Sequence, residues 1–471
     1  MKALLKDPLI LALILGIGVV YLAISFHYLS RNSQLAAKLE KVLIATFIIV
    51  IIGETGATMF PLPKFHPRLL ALTITTPPTI AAQIATYIIF VLLLSSRLRH
   101  TLKDFIQVIV TVLVREPFLF TLLLLVSLSA FWSDTPGITF RGSLVILETA
   151  FIAFYTGKQY SWQELYNLLR WLSLVVLILS LYYALLVPSK GVLDIGWGGI
   201  VGHKNHFSFF MALTAVIWMI HAFYYPKQRR FSLVVIILAL FALNQGNSGA
   251  SKVITVALIG LWFYLGFVKK LKPQWAFVSV IIFLIITIVI TILLTENLEF
   301  IVVDTLNKDL TLTGRTDFWP LIIDKINERP LLGYGISGFW QPWRGLENPA
   351  ADVIVAKTEF APPHSHNGFL DLATELGWLG LSIMSLSFLT NLAKAVVYLG
   401  KAKMPAAGMP ILLLSYTLMT NFTESGLLGV TSIFFWYVVV AVRTSIDLDE
   451  KAIKSAEKSQ ELARLQSRYY Y

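Results

Sequence analysis

Apolar residues run along this chain in long, nearly unbroken blocks, set apart by short polar stretches. A run of about 20 apolar residues crosses a bilayer as a helix. On that basis spans are predicted at 8–29, 42–60, 79–96, 117–132, 138–156, 168–187, 205–225, 232–248, 253–268, 275–295, 377–399, 406–423 and 428–443. The segment 61–78 is rich in Pro and Thr, and 102–114 suits an interfacial helix. The block 8–29 is too long for a signal-peptide core and no small-residue cleavage site follows it, so it reads as a true span. The predicted fold is an all-α polytopic membrane helix bundle of about 12–13 transmembrane helices with one large, partly helical extracytoplasmic loop. The chain divides into N-terminal membrane helices (1–295), the long loop (296–365), C-terminal membrane helices (366–443) and a polar tail (444–471) with helical spacing.

Polar positions set the orientation. Arg97, Arg99, Lys103 and Arg115, then Lys227, Arg229 and Arg230, then Lys269, Lys270 and Lys272, then Lys401 and Lys403, all fall on one side by parity. Positive loops stay in the cytoplasm. The long segment 296–365 falls on the opposite side and carries ten Asp/Glu against six Lys/Arg, a net of 6 − 10 = −4. The odd span count places the N-terminus outside, against Lys2 and Lys6, so one helix before residue 100 is open to recounting.

Composition narrows the class further. Of 471 residues, 56% are hydrophobic and 14% charged, too few charges to cover a soluble protein of this length. With no cysteine, a disulfide-stapled or cysteine-ligated metal domain is excluded. The net charge of +11 is explained by cytoplasmic loops, with no nucleic acid as partner. The expected location is a bacterial inner (plasma) membrane, multi-pass, with membrane lipids as neighbours and the chemistry on the extracytoplasmic side.

The unusual residues concentrate outside. Loops of this length inside compact proteins are usually functional or disordered. Phe318, Trp319, Tyr334, Phe339, Trp340 and Trp343 make disorder improbable; sugar stacking and packing on the membrane surface are equal alternatives for them. His364 and His366 flank Ser365, and an imidazole near neutrality can take a proton from a hydroxyl; solvent-exposed or structural histidines are the bland alternative. His203 and His206 make a second outer pair. Zinc sites usually add Cys or a carboxylate in local spacing, and neither stands out, so no metal and no cofactor is expected. Gly333-Tyr334-Gly335-Ile336-Ser337-Gly338 matches a dinucleotide-binding fingerprint by letter, but no βαβ pattern surrounds it, so turns and close packing explain its glycines. Arg141, Lys204 and Lys252 fall at outer span ends beside a loop bearing Arg315 and Arg329, together a candidate cage for a polyanion such as a lipid diphosphate. Ordinary interfacial anchoring is the alternative for each one. Asp371 and Glu375 follow the histidines at helical spacing and either could orient an imidazole. Glu424 is expected to cap a helix in the hairpin between the last two spans.

These pieces resemble the O-antigen ligase and O-antigen/exopolysaccharide polymerase superfamily, a group of polytopic membrane glycosyltransferases, over most of the chain from about residue 117. The resemblance lies in Phe131-Trp132-Ser133-Asp134 with Thr139-Phe140-Arg141, Gly202-His203-Lys204-Asn205, Thr313-Gly314-Arg315-Thr316, Arg329-Pro330-Leu331-Leu332-Gly333-Tyr334-Gly335 and His364-Ser365-His366-Asn367-Gly368. The ligase signature is a His followed by Asn, Ser or Gln, nine residues, Gly, two residues, then Gly, Thr or Val. His366-Asn367, the intervening 368–376, and Gly377-Trp378-Leu379-Gly380 satisfy it.

The resemblance implies a metal-independent, inverting glycosyltransferase using an undecaprenyl-pyrophosphate-linked glycan as donor and a glycan as acceptor. By it, His366 is the base and Arg315 the second catalytic candidate. Arg141, His203, Lys204, Lys252, Arg329, His364 and Asn367 are the substrate-binding candidates. The family often has Arg where Lys252 stands, and lysine lacks the bidentate fork. The motif set looks closest to the exopolysaccharide-polymerase branch, with a chain-length-regulating co-polymerase as a candidate partner. A ligase transferring finished polymer to lipid A-core is the near alternative. A lipid-linked glycan flippase or polysaccharide exporter is the rival from another class; the single loaded outer loop argues against its repeated halves.

Overall fold

The structure, a computed structural model, describes residues 31–52, 113–306, 315–354, 361–402 and 405–449, with a few single positions before 113. The chain forms two compact units, one of residues 1–48 and 74–111, the other of 49–73 and 112–471. In the first, the described structure is chiefly the helix α1 (Ser33–Ile52), which runs on past its edge. Most of the predicted spans 8–29 and 79–96, the end of 42–60, and the tail beyond Asp449 lie outside the described residues.

The second unit is almost wholly helical, as the apolar blocks predict. Its helices are α2 (Pro117–Leu128), α3 (Pro136–Gln159), α4 (Trp162–Leu186), α5 (Lys204–Tyr224), α6 (Arg229–Gln245), α7 (Gly249–Val268), α8 (Pro273–Leu306), α9 (Arg315–Glu328), α10 (Gly368–Lys401), α11 (Met409–Asn421) and α12 (Ser432–Asp447). Every span predicted from residue 117 onward coincides with one of them. Among the described residues, six helices are long and apolar enough to cross a membrane. Among the described residues the strands form one two-residue ribbon, Val192–Leu193 against Gly196–Trp197.

Local chemistry explains the starts. Pro117, Pro136 and Pro273 open their helices at the first position, where the missing N–H costs nothing. Ser161 and Glu164 form a reciprocal capping box at the head of α4. In the apolar window of α5, 83% of residues are buried, against 28% in α8, so α5 is the more central of the two in this unit. α12 is central too, with Phe434 to Val442 buried without a break.

The long α10 is broken where the signature places Gly377, whose φ of +65° no branched residue adopts cheaply. Breaking a helix strands carbonyls on one side and N–H groups on the other. The loop segment 330–335 takes up both sets. Tyr334 and Gly335 donate to the carbonyls of Thr374 and Glu375 (2.9 and 2.8 Å), while Trp378 and Leu379 donate to those of Pro330 and Leu331 (2.8 and 3.3 Å). The approach is so close that a Cβ on Gly377 would sit 2.3 Å from the Leu331 carbonyl group. The letters of the dinucleotide fingerprint are thus a splice between loop and helix.

Trp132 Nε1 donates to the Leu332 carbonyl (2.9 Å), and Asp134 accepts two N–H bonds from Arg329 (2.8 and 3.1 Å). The Trp-Ser-Asp motif therefore holds the splice in place. The loop aromatics settle differently from either expectation. Phe318, Tyr334, Phe339 and Trp340 are buried with Ile322, Ile326, Val353 and Ala373 in a small core of the loop's own. They fix the loop onto α10 and are not free to stack on sugar or lie on lipid. Trp343 alone of the six keeps substantial exposure.

Candidate active site

The turn before α10 presents the histidines. Asn367 accepts from the backbone N–H groups of Phe369 and Leu370 (3.0 and 3.3 Å), which makes it the helix N-cap. Ser365 Oγ donates to the Asn367 carbonyl (2.6 Å) and accepts its N–H (3.0 Å), closing a tight turn. The turn forces His366 to φ +51°, a left-handed conformation that costs a non-glycine residue on the order of 1–3 kcal/mol. Surrounding bonds hold it there, and such outliers cluster at functional sites.

The imidazole of His366 meets Glu424, from the hairpin between α11 and α12. Nδ1 lies 3.2 and 3.1 Å from its two carboxylate oxygens. Asn205, near the start of α5, donates from Nδ2 to Oε1 of the same carboxylate at 2.6 Å. Glu424 is 1% exposed. Burial pushes its carboxyl up, but the imidazoles of His366, His364 and His206 outweigh it and hold the carboxyl well below the usual range. The expectation of a helix cap for Glu424 is therefore corrected: Thr431 caps α12, accepting from the Phe434 N–H (3.1 Å), and Glu424 is the hub of the histidines.

The hub fixes a tautomer. With Nδ1–H aimed at a carboxylate, the proton of neutral His366 sits on Nδ1 and Nε2 is the basic nitrogen. His364 lies tilted against it, ring centroids 4.0 Å apart, and its Nδ1 accepts the His366 backbone N–H (3.1 Å). Its Nε2 faces the Glu424 carboxylate at 4.0 Å. His203 and His206 pack together at 5.0 Å on the far side of Glu424. Residues from three separate elements thus converge on one buried carboxylate.

Asp371 and Glu375 hold backbone groups of the turn and the loop. Asp371 accepts from Trp340 Nε1 (2.8 Å) and the Ser365 N–H (3.1 Å), bracing the turn. Glu375 accepts the N–H of Ser337 (3.0 Å), itself at φ +56°. Both line a cavity of about 90 Å³ with His364, Ser337, Ser425 and Gly426 among its other walls.

The cations are spread more widely. Lys204 is buried at the head of α5, between His203 and Asn205. Arg141 is exposed in the second turn of α3 and Lys252 near the start of α7. Next to Arg141, Gly142 packs on Ser337 and Ile336 of the loop. Arg329 forms its ion pair with Asp134 and lies over the Tyr334 ring at 4.6 Å. Arg315 opens α9; its side chain lies outside the described residues.

Sequence reasoning left the metal question without a carboxylate, and Glu424 supplies one. His203, His206 and Glu424 form one set with ligand atoms within 4.8 Å of each other, and His364, His366 and Glu424 another. Either could hold an ion on spacing alone. The Glu424 carboxylate already accepts from Asn205 and faces His366 Nδ1, so a metal would have to displace those N–H donors.

Comparison with known proteins matches residues 233–385, from α6 into α10 and including His364 and His366, to the O-antigen ligase family. The superfamily resemblance of the motifs therefore stands. The chain is 22% identical over 282 residues to the exopolysaccharide production protein ExoQ of Rhizobium meliloti (strain 1021), covering 58% of this chain and 63% of that protein. It is 26% identical over 244 residues to a candidate polysaccharide ligase of Rickettsia bellii (strain RML369-C), covering 49% of this chain and 54% of that one. Both alignments span less than two thirds of the relative's length. The helices and the family match fit a multi-pass membrane protein.

Proposed function

We propose that this protein is an inverting, metal-independent glycosyltransferase of the bacterial inner membrane. It polymerises undecaprenyl-pyrophosphate-linked oligosaccharide repeat units on the extracytoplasmic face. The observation carrying the reading is the strained His366 with Nδ1 on buried Glu424. His366 Nε2 takes the proton of an acceptor hydroxyl as its oxygen attacks the anomeric carbon of the donor. The bond from that carbon to the diphosphate breaks, its electron pair leaves on the lipid diphosphate, and the configuration inverts. Glu424 stabilises the imidazolium that forms, the role a carboxylate plays behind a catalytic histidine.

Acceptor and donor fall on different ground in this reading. The cavity walled by Asp371 and Glu375 repels a diphosphate and suits the hydroxyls of a neutral sugar, so it takes the acceptor. Lys204, Arg141, Lys252 and Arg315 take the diphosphate. The ligase reading rests on the matched family's description and the Rickettsia relative, the polymerase reading on the motif set and the Rhizobium relative.

Purified protein in lipid nanodiscs, supplied with a lipid-diphosphate oligosaccharide, tests both. A ladder of products longer by whole repeat units is expected. Transfer seen only on addition of lipid A-core makes the protein a ligase, and translocation without glycosidic bond formation makes it a transporter. A chelator should leave the rate unchanged; loss of activity restored by zinc would replace the base mechanism with a metal one.

A further inference from the structure

The end of α5 remote from the histidines holds a second buried ionic group, which the chemistry above does not use. His206 and His221 are fifteen residues apart on α5, about 22 Å along its axis. Near His221 lies Arg170, on the third turn of α4 and 7% exposed. Its guanidinium carbon sits 4.7 Å from the ring centroid of Trp171 and 5.1 Å from that of Trp218. Its Nε is buried with no hydrogen-bond partner. Among the described residues its charged or titratable neighbours are Tyr166, Tyr225 and His221, with no carboxylate.

The neighbours are occupied with one another. Tyr166 donates to the Ile217 carbonyl (3.3 Å), Trp218 Nε1 donates to Ser173 Oγ (3.2 Å), and His221 Nδ1 pairs with Ser232 Oγ (2.8 Å). His221 also stacks on Tyr225 at 4.6 Å. Elsewhere the chain answers such a charge with a carboxylate: Lys394 has Glu116 at 2.5 Å, and Arg443 has Asp447. Arg170 has two indole faces, which attract a cation but do not neutralise it.

A charge at membrane depth is costly unless compensated, and by default marks a functional site. None of the described residues supplies the compensating anion here. Lys227, Arg229 and Arg230 lie in the neighbouring turn and draw anions to it. Trp171, Phe223, Tyr224 and Phe231 are exposed around it, as aromatic side chains are at headgroup level. We propose that Arg170, set between Trp171 and Trp218, binds the phosphate of a glycerophospholipid in the leaflet opposite the histidine site.

Native mass spectrometry of the full-length protein, stripped of lipid in detergent, tests this with phosphatidylglycerol, diacylglycerol and inorganic phosphate as separate probes. The wild type should retain phosphatidylglycerol and not diacylglycerol. Arg170→Gln should weaken retention about tenfold or more, as loss of a charge-assisted phosphate contact would. Arg170→Lys, which keeps the charge and loses the fork, should fall between the two. Lys190→Gln, exposed near the histidine end, should bind as the wild type does. Equal retention of diacylglycerol would reduce the site to acyl-chain packing and overturn the proposal. Binding of inorganic phosphate without phosphatidylglycerol would overturn the lipid assignment. If Arg170→Gln does not fold, Arg170→Lys decides: retention equal to wild type contradicts the proposal.

Discussion

The two ends of α5 bury ionisable groups in opposite ways. At its start, an anion is the hub: Glu424 is surrounded by His203, His206, His364, His366 and Asn205. At its end, a cation is the hub, and Arg170 is surrounded by rings and hydroxyls. A carboxylate among imidazoles can stabilise an added proton's positive charge and release it again, which is what a hydroxyl-activating site needs. A guanidinium never deprotonates at working pH, so it can only hold an anion. Strain follows the same division. Of the three left-handed non-glycine residues described, His366 and Ser337 belong to the turn and loop beside the histidine end, and Asn247 to the turn between α6 and α7.

This contrast can be broken at several points. The largest expected effect is His366→Ala. Removing the base should slow transfer about 10³-fold, within the general-base range of about 10²–10⁴, with helicity by circular dichroism unchanged. Next is Gly377→Ala, which puts a methyl group against the Leu331 backbone at a φ of +65°. A loss of about 3 kcal/mol or more is expected from strain and overlap together, seen as a lowered thermal midpoint; an unchanged midpoint would mean the splice is not needed for stability.

Glu424→Gln should slow transfer about 10²-fold, since an amide can favour the wrong tautomer of His366 and cannot stabilise the imidazolium. It also carries a pH signature. The Glu424 carboxyl is held below its ordinary value in the folded state. Its contribution to stability is therefore complete above the unfolded value of about 4.3 and is lost as pH falls through the folded one. The stability gap between wild type and Glu424→Gln should be constant above that value and close in stronger acid. A gap that widens in acid would reverse the assignment. The smallest effect is expected for Arg329→Gln. Its pair with Asp134 is more than a third exposed on both sides, so it should cost less than about 1 kcal/mol in melting experiments.

Much of this architecture was legible in the apolar blocks, because a span is a local property of about 20 residues. The histidine turn was legible too, since its residues are adjacent in sequence. Glu424 and Asn205 were not, because their hydrogen bond joins positions 219 residues apart and depends on how α5 packs beside the last hairpin. One signal did exist: a lone acid between two apolar blocks is expensive and by default functional. The Asn205 of Gly202-His203-Lys204-Asn205 stood in a motif whose charged member drew the attention. The loop aromatics misled because residue type alone does not say whether a ring faces solvent or a local core.

The central claim is that His366 and Glu424 act as one unit, and a double-mutant cycle on the transfer rate addresses it most directly. Groups that act together do not lose rate independently. The account predicts that His366→Ala combined with Glu424→Gln is no slower than His366→Ala alone. Losses that multiply, so that the double variant is slower by the full Glu424→Gln factor, would contradict it.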